Sequence, residues 1–166
     1  GEMDEAPMLF IGERVGTKKG QALDIAADPL EGTNFVANNL PNAFSVIAVS
    51  EKNNLFFAPD TYMEKIAIGA NLPKNLLDLD NSIEKNISLL ANAKQTTPDK
   101  LTVCILERPR HEQIINSLKK MNVSLKLISD GDVSGVIYTV DNNSPVDMYV
   151  GIGGGPEGVL LSLIHI

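Results

Sequence analysis

Leu101-Thr102-Val103-Cys104-Ile105-Leu106 opens the stretch that decides the fold, which runs on to Ile152. The six apolar-rich residues are too few for a helix and read as a buried strand. Pro109–Met121 reads as a helix, with proline in a first-turn position where its missing N–H is tolerated. Ser124-Leu125-Lys126-Leu127-Ile128 is a second strand, Val133–Val140 a short helix and Val146–Ile152 a third strand, after which Pro156 opens another helix. Alternation of this kind implies parallel strands joined by crossover helices, hence an α/β fold. Functional loops then fall at the strand carboxyl ends. Arg108–Arg110, Asp130–Asp132 and Gly151–Glu157 lie there.

Upstream, Ser82–Ala93 has helical spacing, with Ile83, Ile87, Leu90 and Ala91 on one face. Before it the rhythm is of strands and loops. Met8–Gly12 and Ala22–Ala27 are short apolar runs separated by the turn Gly16-Thr17-Lys18-Lys19-Gly20. Asn42–Ser50 and Asn54–Ala58 are expected to pair as a hairpin around Glu51-Lys52-Asn53, and Tyr62–Ile68 alternates as another strand. The chain therefore divides near residue 80, with an α+β half over 1–80 and an α/β half over 81–160. There is no internal repeat, low-complexity tract or long linker.

An apolar content of 43% over 166 residues supports a packed core. The net charge of -7, with 14 scattered basic residues, argues against a nucleic-acid partner. No apolar run is long enough to span a membrane. The single Cys104 forbids an internal disulfide, reads as a buried strand residue and fits the cytoplasm. A start at Gly1 and an abrupt end lead to the expectation of a longer parent protein, with Leu161–Ile166 set aside as a non-native tail.

Asp28-Pro29-Leu30-Glu31-Gly32-Thr33 is the strongest local signal. Asp28 ends an apolar strand, Pro29 stiffens the turn and Gly32 permits a tight path. A turn here brings the carboxylates of Asp28 and Glu31 together, where they repel unless protonated or bridged by a cation. Hard Mg²⁺ or Mn²⁺ takes such oxygen ligands and keeps positions for water and phosphate. Thr33 supplies a nearby hydroxyl able to orient a metal-bound water. The competing reading is an Asp/Gly-rich surface turn.

The six-residue string resembles the D-P-[LI]-[DE]-G-T motif of the lithium-sensitive, metal-dependent sugar and inositol phosphatases. Three longer strings narrow the resemblance to the class II (GlpX-type) fructose-1,6-bisphosphatases. They are Gly1–Glu13, Ala58-Pro59-Asp60-Thr61-Tyr62-Met63-Glu64-Lys65 and Gly151-Ile152-Gly153-Gly154-Gly155-Pro156-Glu157-Gly158, with Arg108-Pro109-Arg110-His111 and Asp130-Gly131-Asp132-Val133 completing the set. The resemblance implies a layered α-β-α-β-α sugar-phosphatase fold, with a mixed sheet in the first half and parallel βαβ units in the second. It also implies a metal-binding role for residues 1–80 and a substrate-binding role for 81–160.

By position, the resemblance makes Asp28, Glu31, Glu157 and the Leu30 carbonyl ligands of Mn²⁺ or Mg²⁺, with two further acids upstream of residue 1. Thr33 would position the nucleophilic water with Asp4 as its acidic partner. Glu31, Gly32, Thr33, Tyr62, Arg108, Pro109, Arg110, Asp130, Gly131, Asp132 and Gly154 would contact substrate. Arg108 stands where the family commonly has Lys, which keeps the charge but changes hydrogen-bond geometry. The implied activity is hydrolysis of the 1-phosphate of fructose 1,6-bisphosphate by a cytoplasmic homo-oligomer, a dimer or tetramer at full length. Alternatives are a sedoheptulose-1,7-bisphosphatase, an inositol-phosphatase-like enzyme and an inactive sugar-phosphate-binding fragment.

Read physically, Gly151–Gly155 lets backbone N–H groups converge on an anion ahead of a helix N-terminus, a tight turn being the alternative. The planar forks of Arg108 and Arg110 suit phosphate, against a plain solvated helix start. Asp130 and Asp132 can accept from sugar hydroxyls, or Asp132 can cap the next helix. Tyr62 either meets substrate or packs on its strand, and His111 is expected to be an exposed first-turn residue. His165 lies in the tail.

Overall fold

The computed structural model describes residues 10–162. Its elements in order are β1 (Leu23–Glu31), α1 (Thr33–Ala37), β2 (Phe44–Glu51), β3 (Tyr62–Ile68), α2 (Ile83–Ala93), β4 (Thr102–Leu106), α3 (Glu112–Lys120), β5 (Ser124–Ile128), α4 (Asp132–Val140), β6 (Met148–Gly154) and α5 (Gly155–Ser162). β1 and β2 form an antiparallel ribbon, and the other strands form one sheet in the order β3-β6-β4-β5. β4 runs parallel to β5 and β6, joined through α3 and α4 as the alternation predicts. The sheet is mixed because β3, from the first 80 residues, adds antiparallel to β6. The fold is therefore α/β.

Strand alternation places the core on both faces of the sheet. Val103, Ile105 and Met148 face α2 and α3, where Ile87, Leu90 and Leu118 close one fully buried layer. Cys104, Leu106 and Tyr149 face Val133, Val136 and Leu161 of α4 and α5. Each such side chain removed from water contributes ~1.5–3 kcal/mol. α2 starts where Ser82 Oγ accepts the N–H of Lys85 at 3.3 Å.

The expected hairpin between 42–50 and 54–58 is not formed. β2 pairs with β1, from Leu23 opposite Glu51 to Glu31 opposite Phe44. The chain leaves β2 at Asn53, whose φ is +68°, and the Asn53 N–H donates to Asp24 Oδ2 at 2.6 Å. Residues 54–58 then carry no strand, and Phe56 and Phe57 are exposed. Phe10–Glu13 is a turn closed by the Glu13 N–H on the Phe10 carbonyl at 3.0 Å, and Met8 and Leu9 lie outside the described residues.

Candidate active site

The acidic motif lies inside a strand. In regular β-structure, residues three apart point to opposite faces, which would separate Asp28 from Glu31. The ladder slips between these two residues, a β-bulge. Asp28 Oδ1 accepts the Leu30 N–H at 3.0 Å, and Ser45 Oγ donates to the Pro29 carbonyl at 2.7 Å. The bulge brings the two carboxylates near enough for Asp28 to raise the pKa of Glu31.

Two helices exchange caps beside this bulge. Gly32 and Gly131, with φ of +79° and +84°, are the N-caps of α1 and α4 and have no side chain to offer. Glu31, just before α1, accepts the Val133 N–H of α4 through Oε1 at 3.0 Å. Asp130, just before α4, accepts the Asn34 N–H of α1 through Oδ2 at 3.0 Å. Each carboxylate sits at the positive end of the other's helix. Phe35 fills the space between, and a Cβ at Gly32 would lie 2.6 Å from its ring. Thr33, exposed, begins α1 beside the pair.

A cleft of about 190 Å³ opens next to these caps, at the carboxyl ends of β4 and β5. Tyr62, Arg108 and Arg110 line one part of it, and Asp130, Gly131, Asp132, Gly154 and Glu157 the rest. The strand-end segments picked out in sequence thus meet in one place. Pro109 opens a 3-10 turn that carries Arg110, with Arg108 immediately before it as the N-cap. Arg110 Nε donates to the Ile152 carbonyl at 2.8 Å, and its guanidinium lies 4.9 Å from the Tyr62 ring centre. Tyr62 is 69% exposed, so it does not pack into the sheet. Arg108 stands 3.6 Å from Asp130.

Three details depart from the sequence reading. His111 is fully buried: its Nε2 accepts the Ile152 N–H at 2.8 Å and its Nδ1 lies 2.7 Å from the Leu106 carbonyl. An Nδ1–H tautomer satisfies both partners and pins the end of β4 to β6. Gly151–Gly154 belong to β6 rather than to a loop, and α5 follows at once. The Gly154 N–H donates to Glu157 Oε2 at 3.1 Å and the Gly155 N–H to the Thr61 carbonyl at 2.6 Å, so neither is held open for an anion. Asp132 caps nothing; Gly131 is the N-cap, and Asp132 is buried with its oxygens on Lys65 and Tyr149. Asp4 lies outside the described residues.

The charges respond to this crowding. Burial pushes Glu31 up to about 8, with Asp28 and Glu157 adding to the rise and the Val133 N–H opposing it. Glu157 is also raised, chiefly by burial. Burial acts upward on Asp132 as well, but the bond and charge of Lys65 and the Tyr149 hydroxyl outweigh it and hold the carboxyl low. Cys104, pushed up to about 12 by burial, is inert.

A hard divalent cation fits the donor chemistry of Asp28 and Glu31, paired oxygens whose mutual repulsion a cation relieves. Glu157 is near enough to raise Glu31, yet it is bonded to Lys65 at 2.9 Å. Among the described residues, no three His, Cys, Asp or Glu side chains stand ready as a metal cluster.

Over residues 1–164 the chain matches the family described as bacterial fructose-1,6-bisphosphatase, glpX-encoded. It belongs to that family. Among its relatives are the fructose-1,6-bisphosphatase 1 class 2 of Escherichia coli K12, 44% identical over 164 residues, and the class 2 fructose-1,6-bisphosphatase of Haemophilus influenzae, 42% identical over 159. The matches cover 99% and 96% of this chain but 48% and 47% of those relatives, so the chain spans about half their length. Sequence reading assigned no role to Lys65, Tyr149, His111 or Phe35. For Lys65 a signal existed, since a charge sits at the strand position two before Ala67 on what proves a buried face.

Proposed function

We propose that this chain forms part of a cytoplasmic enzyme that hydrolyses the 1-phosphate of fructose 1,6-bisphosphate, giving fructose 6-phosphate and phosphate. One observation carries the reading: a cleft lined by Arg108, Arg110 and Tyr62 adjoins the Asp28–Glu31 pair across the exchanged caps. Asp28, Glu31, Glu157 and the Leu30 carbonyl are the residues to hold Mn²⁺ or Mg²⁺, which when bound lowers the pKa of a water and offsets phosphate charge. Thr33, at the start of α1, aims the attacking water, with Asp4 as its acidic partner. The forks of Arg108 and Arg110 hold the distal phosphate, and Tyr62 keeps Arg110 oriented from its exposed face. Asp130 and the backbone at Gly131 and Gly154 border the sugar. A homo-oligomeric state belongs to the same proposal.

The test is phosphate release from fructose 1,6-bisphosphate with Mn²⁺, using the protein encoded by the uninterrupted reading frame that contains this chain. Turnover that drops on Asp28→Asn and on Thr33→Ala supports the roles; unchanged turnover rejects them. Sedoheptulose 1,7-bisphosphate and inositol phosphate run in parallel, and a clear preference for inositol phosphate overturns the substrate.

The bond of Glu157 to Lys65 favours a second reading for the 166-residue chain itself, a sugar-phosphate binder without turnover. Calorimetry with the substrate separates the two: binding without phosphate release supports the binder, and turnover by the 166-residue chain removes it.

A further inference from the structure

Lys65 reaches two acids that line the cleft, Asp132 and Glu157, from the strand beneath them. Strand alternation in β3 sends Glu64, Ile66 and Ile68 to the α2–α3 side, where the two isoleucines pack, and sends Lys65 and Ala67 to the α4–α5 side. The Lys65 side chain is 5% exposed. A buried ammonium is costly unless paired and fully hydrogen-bonded. Lys65 Nζ donates to Asp132 Oδ2 at 2.5 Å and to Glu157 Oε2 at 2.9 Å.

Each anion has a second donor besides Lys65. The Tyr149 hydroxyl donates to Asp132 Oδ1 at 2.7 Å, and the Gly154 N–H donates to Glu157 Oε2 at 3.1 Å. Gly153 leaves the room, because a Cβ there would fall 1.9 Å from Asp132 Oδ2 and 3.0 Å from Lys65 Nζ. Among the described residues no buried side-chain nitrogen or oxygen lacks a partner. One strand thus supplies a cation to the first residue of α4 and the first turn of α5. The bonds from Lys65 and from the Gly154 N–H both end on Glu157 Oε2, and Asp132 stands close enough to act on the same carboxyl.

We propose that Lys65 is a positioning residue of this site: its ammonium locks Asp132 and Glu157 in one geometry, so that Glu157 presents its carboxyl toward the Asp28–Glu31 pair. The proposal rests on the metal-phosphatase reading of the cleft. It reassigns Asp132 from substrate contact to anchor, since both of its oxygens are engaged inside the protein.

The experiment uses the protein from the uninterrupted reading frame. Mn²⁺ affinity is measured by calorimetry without substrate, beside thermal midpoints, for the wild type, Lys65→Met and the double variant Lys65→Met/Asp132→Asn. Outer-shell partners of metal ligands typically govern ~10–100-fold in affinity. Lys65→Met is expected to weaken Mn²⁺ by that order and to lower the midpoint, because Asp132 is left buried and unpaired. The double variant removes that unpaired charge and regains the midpoint, while Mn²⁺ stays weak because Glu157 is still unanchored. A double variant that regains both shows a merely structural lysine and overturns the proposal, as does Lys65→Met with wild-type Mn²⁺ affinity. A wild type that takes up no Mn²⁺ sinks the reading of the site first, and Lys65 with it.

Discussion

Glu31 Oε1 accepts the backbone N–H of Val133 at 3.0 Å, so the last residue of β1 caps a helix that begins 101 positions later, at Asp132. Burial raises this carboxyl from 4.5 to about 8 despite the favourable N–H. A carboxyl raised on folding binds its proton more tightly in the folded protein than in the unfolded chain. Its contribution to stability is therefore fully present below 4.5 and lost as pH rises through about 8. Glu157, also raised, adds to the same slope. Asp132, held low, contributes stability that is lost only as pH falls beneath its ordinary 3.8. The thermal midpoint in chelator should thus fall between pH 4.5 and about 8, and Glu31→Gln should flatten that fall. An equal slope in wild type and variant rules out Glu31 as its source.

His111→Ala should destabilise the protein strongly. It removes a fully buried ring and leaves the Leu106 carbonyl and the Ile152 N–H without their partner. An unsatisfied buried group costs ~1–3 kcal/mol, so two of them give an expected loss of about 2–6 kcal/mol. Urea denaturation reads it directly, and an unchanged midpoint contradicts the buried tie.

Gly32→Ala tests the exchanged caps. Its φ of +79° disfavours any Cβ, and the new methyl would meet the Phe35 ring at 2.6 Å. Left-handed strain alone costs ~1–2 kcal/mol, and overpacking adds ~1–3 kcal/mol. Phe35 also borders Gly131, so its displacement should disturb both caps and weaken Mn²⁺ as well as stability. Wild-type Mn²⁺ affinity in this variant would show that the caps and the metal pair are independent.

Arg110→Lys keeps the charge and loses the fork that spans the Ile152 carbonyl and the Tyr62 face. KM for the bisphosphate should rise, with kcat changing less, since the residue sits on the binding side of the cleft. A kcat effect without a KM effect places Arg110 at the chemistry instead.

Much of this was legible in the chain. Period-two and helical patterns located β3, β5 and α2 to within a residue, because their buried faces dictate those patterns. The acidic motif and the Arg108–Arg110 turn were visible as short strings. What escaped depends on contacts distant in sequence. His111 meets Ile152 across 41 positions, and Lys65 meets Asp132 and Glu157 across 67 and 92. No local pattern marks a histidine as buried when its partners are strand carbonyl and amide groups. The hairpin expected after Ser50 failed for a related reason. β2 found its partner in β1, whose alternation matched it over a longer register.

Asp28, Glu31 and Glu157 are proposed to share one divalent cation. The most direct test of this is Mn²⁺ titration, followed by the loss of the free-ion electron paramagnetic signal, on the protein from the uninterrupted reading frame and on Asp28→Asn, Glu31→Gln and Glu157→Gln. Even outer-shell losses reach ~10–100-fold, so each of the three should weaken binding at least that much. Three variants that bind Mn²⁺ as the wild type does would contradict the account.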